Sequence, residues 1–360
     1  MTGASNQRPG RSARRARQHG VTLVELMIGA VIGLFLVAVM GGLFVGGKGG
    51  LRAQNQMARL QENGRFLADT LANDLRMAGF LGCRGSASAT TTNLLKTPTA
   101  LLYNFSLGVW ASHNTGSAWS PVLDAAIQSA SITPAPNSYG DVLTIRRSEG
   151  PGIALIAEMS AGTDALSVTA GSTVKQGDWL MVSDCGGAAI FQATNANPGT
   201  AGSIQHSSSG SLTPGNSSSS LGRAFLQDAL VHRLATTTYY LAPSARSGKT
   251  SLRALWSYTV PSYDGSAQPQ ELVTGVERFV VRLGLDSDSD GAADAYVTPD
   301  AVTDWTQVVT TQVELLLAST DDGVATAAQP YVFNGSTTTP SDRRLRSVVS
   351  FTASVRNALR

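Results

Sequence analysis

The chain has 360 residues, 42% hydrophobic and 14% charged, with a formal charge of +2. That length holds one large domain or two ordinary ones, and the composition excludes both a disordered tail and a transporter with many membrane spans. Arg8, Arg11, Arg14, Arg15 and Arg17 lie in the first twenty positions with no acid among them, and the remainder has 22 basic against 25 acidic residues, so a basic field over the whole surface for nucleic acid is not indicated.

Behind this basic leader (1–20), Glu25 is the one ionisable side chain between Val21 and Gly47, and 22 uncharged residues run from Leu26 to Gly47. As a helix that run spans about 33 Å, enough for a bilayer's hydrocarbon core. The arginines before it place the N-terminus in the cytoplasm and send the rest of the chain across the membrane. A secretory signal peptide fits less well, because the apolar run is long and no Ala-x-Ala site follows it. Glu25 is costly inside an apolar helix unless paired, which marks it as functional.

The stretch Gly20-Val21-Thr22-Leu23-Val24-Glu25-Leu26-Met27-Ile28-Gly29 resembles the leader of type IV pilins and type II secretion pseudopilins. The resemblance implies cleavage between Gly20 and Val21 by prepilin peptidase, N-methylation of the new amine, and pairing of Glu25 with the amine of a neighbouring subunit. A buried amine and carboxylate that neutralise each other supply a register where apolar contacts discriminate poorly.

The helix is expected to continue. Residues 21–48 form its membrane or filament-core half, and 49–78 an amphipathic half in which Met57, Leu60, Leu67, Leu71, Leu75 and Ala78 recur at three- and four-residue steps. Gly79, Gly82 and Gly85 read as its stop. Gly29-x-x-x-Gly33 and Gly42-x-x-x-Gly46 would permit close helix approach, although Gly is common in membrane helices. Residues 79–360 read as a β-rich periplasmic head, with strands at 142–146, 165–169, 179–182, 189–193, 237–241, 252–258, 278–285, 308–317 and 346–355. The Ser/Gly-rich stretch 194–220 reads as a long exposed loop.

Within the head, Asp74 to Cys83 (DLRMAGFLGC), Asp141 to Arg146 (DVLTIR), Gly177 to Cys185 (GDWLMVSDC), Ala189 to Gln192, Leu272 to Glu277 (LVTGVE) and the Arg-rich Arg343 to Arg356 resemble the PilW-type minor pilins. That resemblance implies an α+β, type IV pilin-like fold and a non-enzymatic subunit that primes pilus assembly, at the tip, in support of attachment or twitching motility. Its partners would be prepilin peptidase, other minor pilins and the major pilin, the inner-membrane assembly platform and a tip adhesin. It would be a single-pass inner-membrane protein before assembly and part of the surface fibre afterwards. A J-like minor pseudopilin of type II secretion, or a membrane-tethered extracytoplasmic binding protein, are the alternatives.

Cys83 and Cys185 fall in the part expected to face the periplasm, where disulfides persist. A bridge between them would contribute ~4–5 kcal/mol in the chain-entropy treatment, and two free buried thiols are the alternative. Asp286, Asp288, Asp290 and Asp294, with Gly291 after the third, reproduce the first part of an EF-hand loop and suggest a structural Ca²⁺. Val297 stands where a bidentate Glu is needed, so the closing ligand would be Asp300 or Asp304. A solvated acidic turn is the other reading. Nucleophile-elbow and phosphate-loop patterns are absent. His113, His206 and His232 show no metal or triad spacing, and the five Trp read as core or strand packing. The C-terminal arginines 343, 344, 346, 356 and 360 could meet acidic partner subunits or, less in keeping with the overall charge, nucleic acid.

Overall fold

The computed structural model describes residues 20–80, 90–129, 131–261 and 267–355. One helix, α1, covers Leu23–Met77. The chain divides into two compact units, 1–52 and 53–360. In the first, the apolar side chains from Val21 to Phe44 are exposed on every face, which marks a helix built for an apolar surround. It is the one described helix long and apolar enough to cross a membrane.

The second unit begins with the last turns of α1. Gln56, Leu60, Gly64, Leu67, Leu71, Leu75 and Ala78 form its buried stripe. Met57, expected on that stripe, is 38% exposed. Its place is taken by Gln56, which donates to Asp321 Oδ2 at 3.2 Å, so one turn of the stripe is polar. Gly64 is needed for closeness, since a Cβ there would lie 2.7 Å from Val349 Cγ2. The helix ends at Gly79, which has φ of +70° and donates its N–H to Arg146 O at 2.9 Å. Gly108 packs on that turn so tightly that a Cβ would sit 2.7 Å from the Gly79 nitrogen.

Among the described residues the strands that follow are β1 (Thr90–Asn93), β2 (Val109–Asn114), β3 (Trp119–Ser120), β4 (Val142–Ala154), β5 (Leu166–Ser167), β6 (Trp179–Asp184), β7 (Gly187–Gln192), β8 (Ser203–Ile204), β9 (Leu230–Pro243), β10 (Arg253–Val260), β11 (Gln270–Thr274), β12 (Val276–Leu285), β13 (Ala295–Val297), β14 (Val308–Ala318), β15 (Tyr331–Phe333), β16 (Ser336–Thr338) and β17 (Arg346–Ser354). A nine-stranded sheet runs β1-β7-β6-β9-β4-β2-β3, with β10 paired to β9 and β11 to β10. A four-stranded sheet, β13-β12-β14-β17, is antiparallel throughout. Inward residues of both sheets, among them Leu143, Ile145, Val281, Leu283, Val313 and Leu315, bury the helix stripe in one core. The period-2 burial of β12 is what one covered face requires.

Two buried polar groups join these parts. Tyr239 on β9 donates its hydroxyl to Asp74 Oδ2 of α1 at 2.6 Å, and Arg147 Nε lies 3.0 Å from Asp74 Oδ1. Arg146, fully buried, donates from Nε to Leu101 O (2.9 Å) and from Nη1 to Leu107 O (3.0 Å). Burial lowers its pKa to about 9, so it remains a cation at neutral pH.

The Ser/Gly-rich stretch departs from the expected exposed loop. It contains a short helix, α2 (Pro198–Ala201), and β8, whose Ile204 is fully buried. Asn216 accepts from Gln192 N (2.7 Å) and donates to Gln192 O (2.8 Å), so its side chain replaces a strand partner for β7. Part of a low-complexity stretch is thus ordered by a side-chain amide that satisfies the buried end of β7, beyond its pairing with β1.

Candidate functional site

At the start of α1, Thr22 Oγ1 accepts the Glu25 N–H at 3.2 Å, and Thr22 O accepts the Leu26 N–H at 3.1 Å. Thr22 is therefore the N-cap, and Thr22-x-x-Glu25 is the sequence pattern of a capping box. Gly20 lies outside the helix and is exposed, and Glu25 is exposed in its first turn. Only one residue, Val21, separates Gly20 from the cap. The sequence reading missed Thr22, although the capping pattern was there to find it. At Gly29, Gly33, Gly42 and Gly46 an added Cβ would meet nothing within 4 Å, so these glycines leave bare strips on the helix.

The aspartate loop joins β12 to β13. Asp286, Asp288 and Asp294 each present a carboxylate oxygen within 4.8 Å of the others. Two oxygens bound to one Ca²⁺ at 2.3–2.6 Å can be no more than about 5 Å apart, so the donor set fits that ion. The loop is ordered by its own carboxylates: Asp286 Oδ2 accepts the Gly291 N–H (2.9 Å), and Asp294 Oδ2 accepts from Ser287 N (2.7 Å) and Oγ (2.6 Å). Those Ser287 bonds hold the Asp294 carboxyl below its usual pKa. Asp290 is not one of that trio, and its Oδ1 caps Ala292 N at 2.7 Å. Val297 pairs with Leu283 in β13 and offers no oxygen ligand from its side chain. Of the two suggested closing ligands, Asp304 lines the same cavity as Asp286 and Asp290, whereas Asp300 sits exposed in a 3₁₀ turn.

Cys185 lies exposed on the turn from β6 to β7, which departs from the alternative of two buried free thiols. Cys83 lies outside the described residues. The turn itself is held by Arg223, whose Nη1 and Nη2 meet Asp184 Oδ1 and Oδ2 at 2.9 and 3.0 Å.

Of the C-terminal arginines, Arg344 and Arg346 are held internally. Arg346 is bound by Glu277 Oε2 (2.8 Å) and Asp342 Oδ1 (2.7 Å), and Asp342 lies 3.7 Å from Arg344; Arg356 and Arg360 lie outside the described residues. Arg344 and Arg346 are therefore matched by acids on the same sheet and its flanking loop. Trp179 and Trp256 are buried, while Trp110 and Trp305 stack at 6.1 Å and Trp119 packs beside the core. His206 is a packing residue bonded to Asp164 O at 2.9 Å, but His113 is paired with a buried acid, Asp141, at 2.9 Å.

Comparison with known proteins gives two matched segments. Residues 238–357 match the family described as type IV pilus-assembly protein W, and residues 15–41 match the prokaryotic N-terminal methylation motif. Among solved structures, a type IV-like pilin from Thermus thermophilus is 13% identical, covering 84% of this chain and 99% of its own, with a TM-score of 0.33. No curated protein gives a significant match.

Proposed function

We propose, from the premise that the chain is a type IV pilus minor pilin of the PilW type, that it primes assembly of the fibre and is carried at the tip. The observation that supports this most directly is the helix start. The Gly20–Val21 bond lies just ahead of a capped apolar helix with one carboxylate, Glu25, in its first turn. Cleavage there would leave a free amine one residue before the cap, and in an apolar surround that amine and the Glu25 of a neighbour neutralise each other. Prepilin peptidase is then the processing partner, and the major pilin, other minor pilins, the assembly platform and a tip adhesin are the assembly partners. We further propose a Cys83–Cys185 disulfide and a Ca²⁺ held by Asp286, Asp288 and Asp294 as staples of the head, with Asp290 shaping the loop.

The test is the mature N-terminus by mass spectrometry, in cells with and without prepilin peptidase, for the native chain and Glu25→Ala. The expected product is a chain beginning at N-methylated Val21 only when the peptidase is present. Glu25→Ala should be cut but absent from sheared fibres. An intact leader, or cutting near Gly46 regardless of the peptidase, would overturn the proposal.

A further inference from the structure

A cleft of about 390 Å³ opens on the head where the turn after β2, the segment leading into β4, the outer face of β12 and the β15–β16 hairpin meet. That volume is within the range of small-ligand sites.

Its electrostatics are simple. Three of its lining residues, His113, Asp141 and Arg278, carry or can carry charge near neutral pH. Asp141 is 2% exposed and spent on the frame, because it accepts from His113 Nδ1 (2.9 Å), Asn114 N (3.1 Å) and Val281 N (2.8 Å). An ionised carboxylate only accepts, so the His113 proton sits on Nδ1 and Nε2 is left for a ligand. Arg278 is exposed and has no carboxylate partner among the described residues; its guanidinium lies 6.0 Å from the centre of the Tyr139 ring. Arg253 lies over the same ring at 3.2 Å, which fixes Tyr139 as a wall. One guanidinium thus remains uncompensated, and a carboxylate satisfies it with two parallel hydrogen bonds.

The remaining walls describe the body of the ligand. Tyr331 and Phe333, on one face of β15, supply flat apolar surface, and Arg346 backs the Tyr331 ring at 5.5 Å. Asn334 and Gly335 both have positive φ, as a two-residue hairpin turn needs, so the hairpin holds these rings in register against Ser336 and Thr338. Those hydroxyls, with Ser138, also line the cleft. A fatty chain would leave them without partners. A phosphate dianion would meet only one free guanidinium.

We propose that this cleft binds a single uronic acid residue of an acidic saccharide, with its carboxylate on Arg278, a ring face on Tyr331 and Phe333, and its hydroxyls toward His113 Nε2, Ser336 and Thr338. The full chain in detergent is titrated calorimetrically with galacturonic acid, its trimer, the methyl ester of the trimer, and neutral galactotriose. The acid trimer binds at least tenfold tighter than its ester and than galactotriose. The monomer binds within tenfold of the trimer, as a one-residue cleft requires. Arg278→Gln removes the preference for acid over ester while leaving ester binding and the melting temperature in place; Arg246→Gln, an equal charge change away from the cleft, leaves the preference intact. Equal binding of acid and ester by the native chain, a preference that survives Arg278→Gln, a trimer-only response, or no binding at all would each overturn the assignment.

Discussion

His232 on β9 is 7% exposed, and neither ring nitrogen has a hydrogen-bond partner. Its ring meets Phe80 edge-on at 5.6 Å, and Gly152 approaches so closely that a Cβ there would lie 2.7 Å from His232 Cε1. Burial without a counter-charge lowers its pKa. The unfolded chain, with imidazole near its ordinary pKa of about 6.5, therefore takes up a proton first as pH falls. The contribution of this residue is intact above about pH 6.5 and is lost progressively below it. Asp141 acts in the opposite sense: desolvation raises its pKa, so protonation as pH falls favours the folded state. Its effect enters only as the pH approaches its raised carboxylate range. The melting temperature should thus fall between pH 7 and pH 5, and His232→Phe, which keeps an aromatic ring beside Phe80, should flatten that fall. A slope unchanged by the substitution would assign the acid sensitivity elsewhere. None of this was legible in the sequence, where His232 and His113 look alike. One is isolated and the other is held by Asp141, 28 positions away, and only the pairing of β2 with β4 brings that acid within reach.

At the scale of elements, the long apolar signals read true and the short polar ones did not. Helix α1 was expected over 21–78 and runs from Leu23 to Met77, because its three- and four-residue apolar steps persist up to a glycine in the left-handed region. Nine expected strands coincide with observed ones, though β4 and β9 extend well beyond the apolar runs that announce them. Their extra length is made by pairing with each other through an irregular register between Glu149 and Ile153, which is non-local and leaves no local signature. The β15–β16 hairpin was missed although Asn334-Gly335 between short β-prone runs is a turn signal. The aspartate loop was legible in its ligands, while Asp304 enters its cavity through a 3₁₀ turn ten residues past Asp294. If that loop holds Ca²⁺ with the submillimolar to millimolar affinity usual for extracellular modules, about 10 mM of the ion adds roughly 1.5–3 kcal/mol. In a chain of this size that is a rise of several degrees in melting temperature. Asp286→Asn and Asp288→Asn should each remove the increment, and Mg²⁺, which demands tighter octahedral geometry, should not reproduce it. A rise that persists in both variants would place the ion at another site.

The whole molecule is two units with opposite solvents. The apolar side chains from Val21 to Phe44 in the first unit are exposed, whereas the second unit, 53–360, buries the stripe of α1 from Leu60 to Ala78 among both large sheets. The stripe is held by more than apolar contact: Asp74 joins Tyr239 and Arg147, and Gln56 joins Asp321. Breaking a buried, hydrogen-bonded partnership of this kind typically costs a few kcal/mol. The helix end is thus part of the head's core, and the second unit has what an independently folding domain requires. A chain beginning at Ala53 should be soluble without detergent, monomeric by light scattering and cooperative in its melt. A chain beginning at Gly79 should lose the stripe, expose the inward faces of β12 and β14, and aggregate. The Ala53 chain should also fail to restore fibres in cells lacking the native protein, because the proposed Gly20–Val21 cleavage site, Glu25 and the apolar, membrane-length segment of α1 all lie before residue 53. Fibres restored by the Ala53 chain would show that the head alone carries the assembly function and would remove the helix start from its central place.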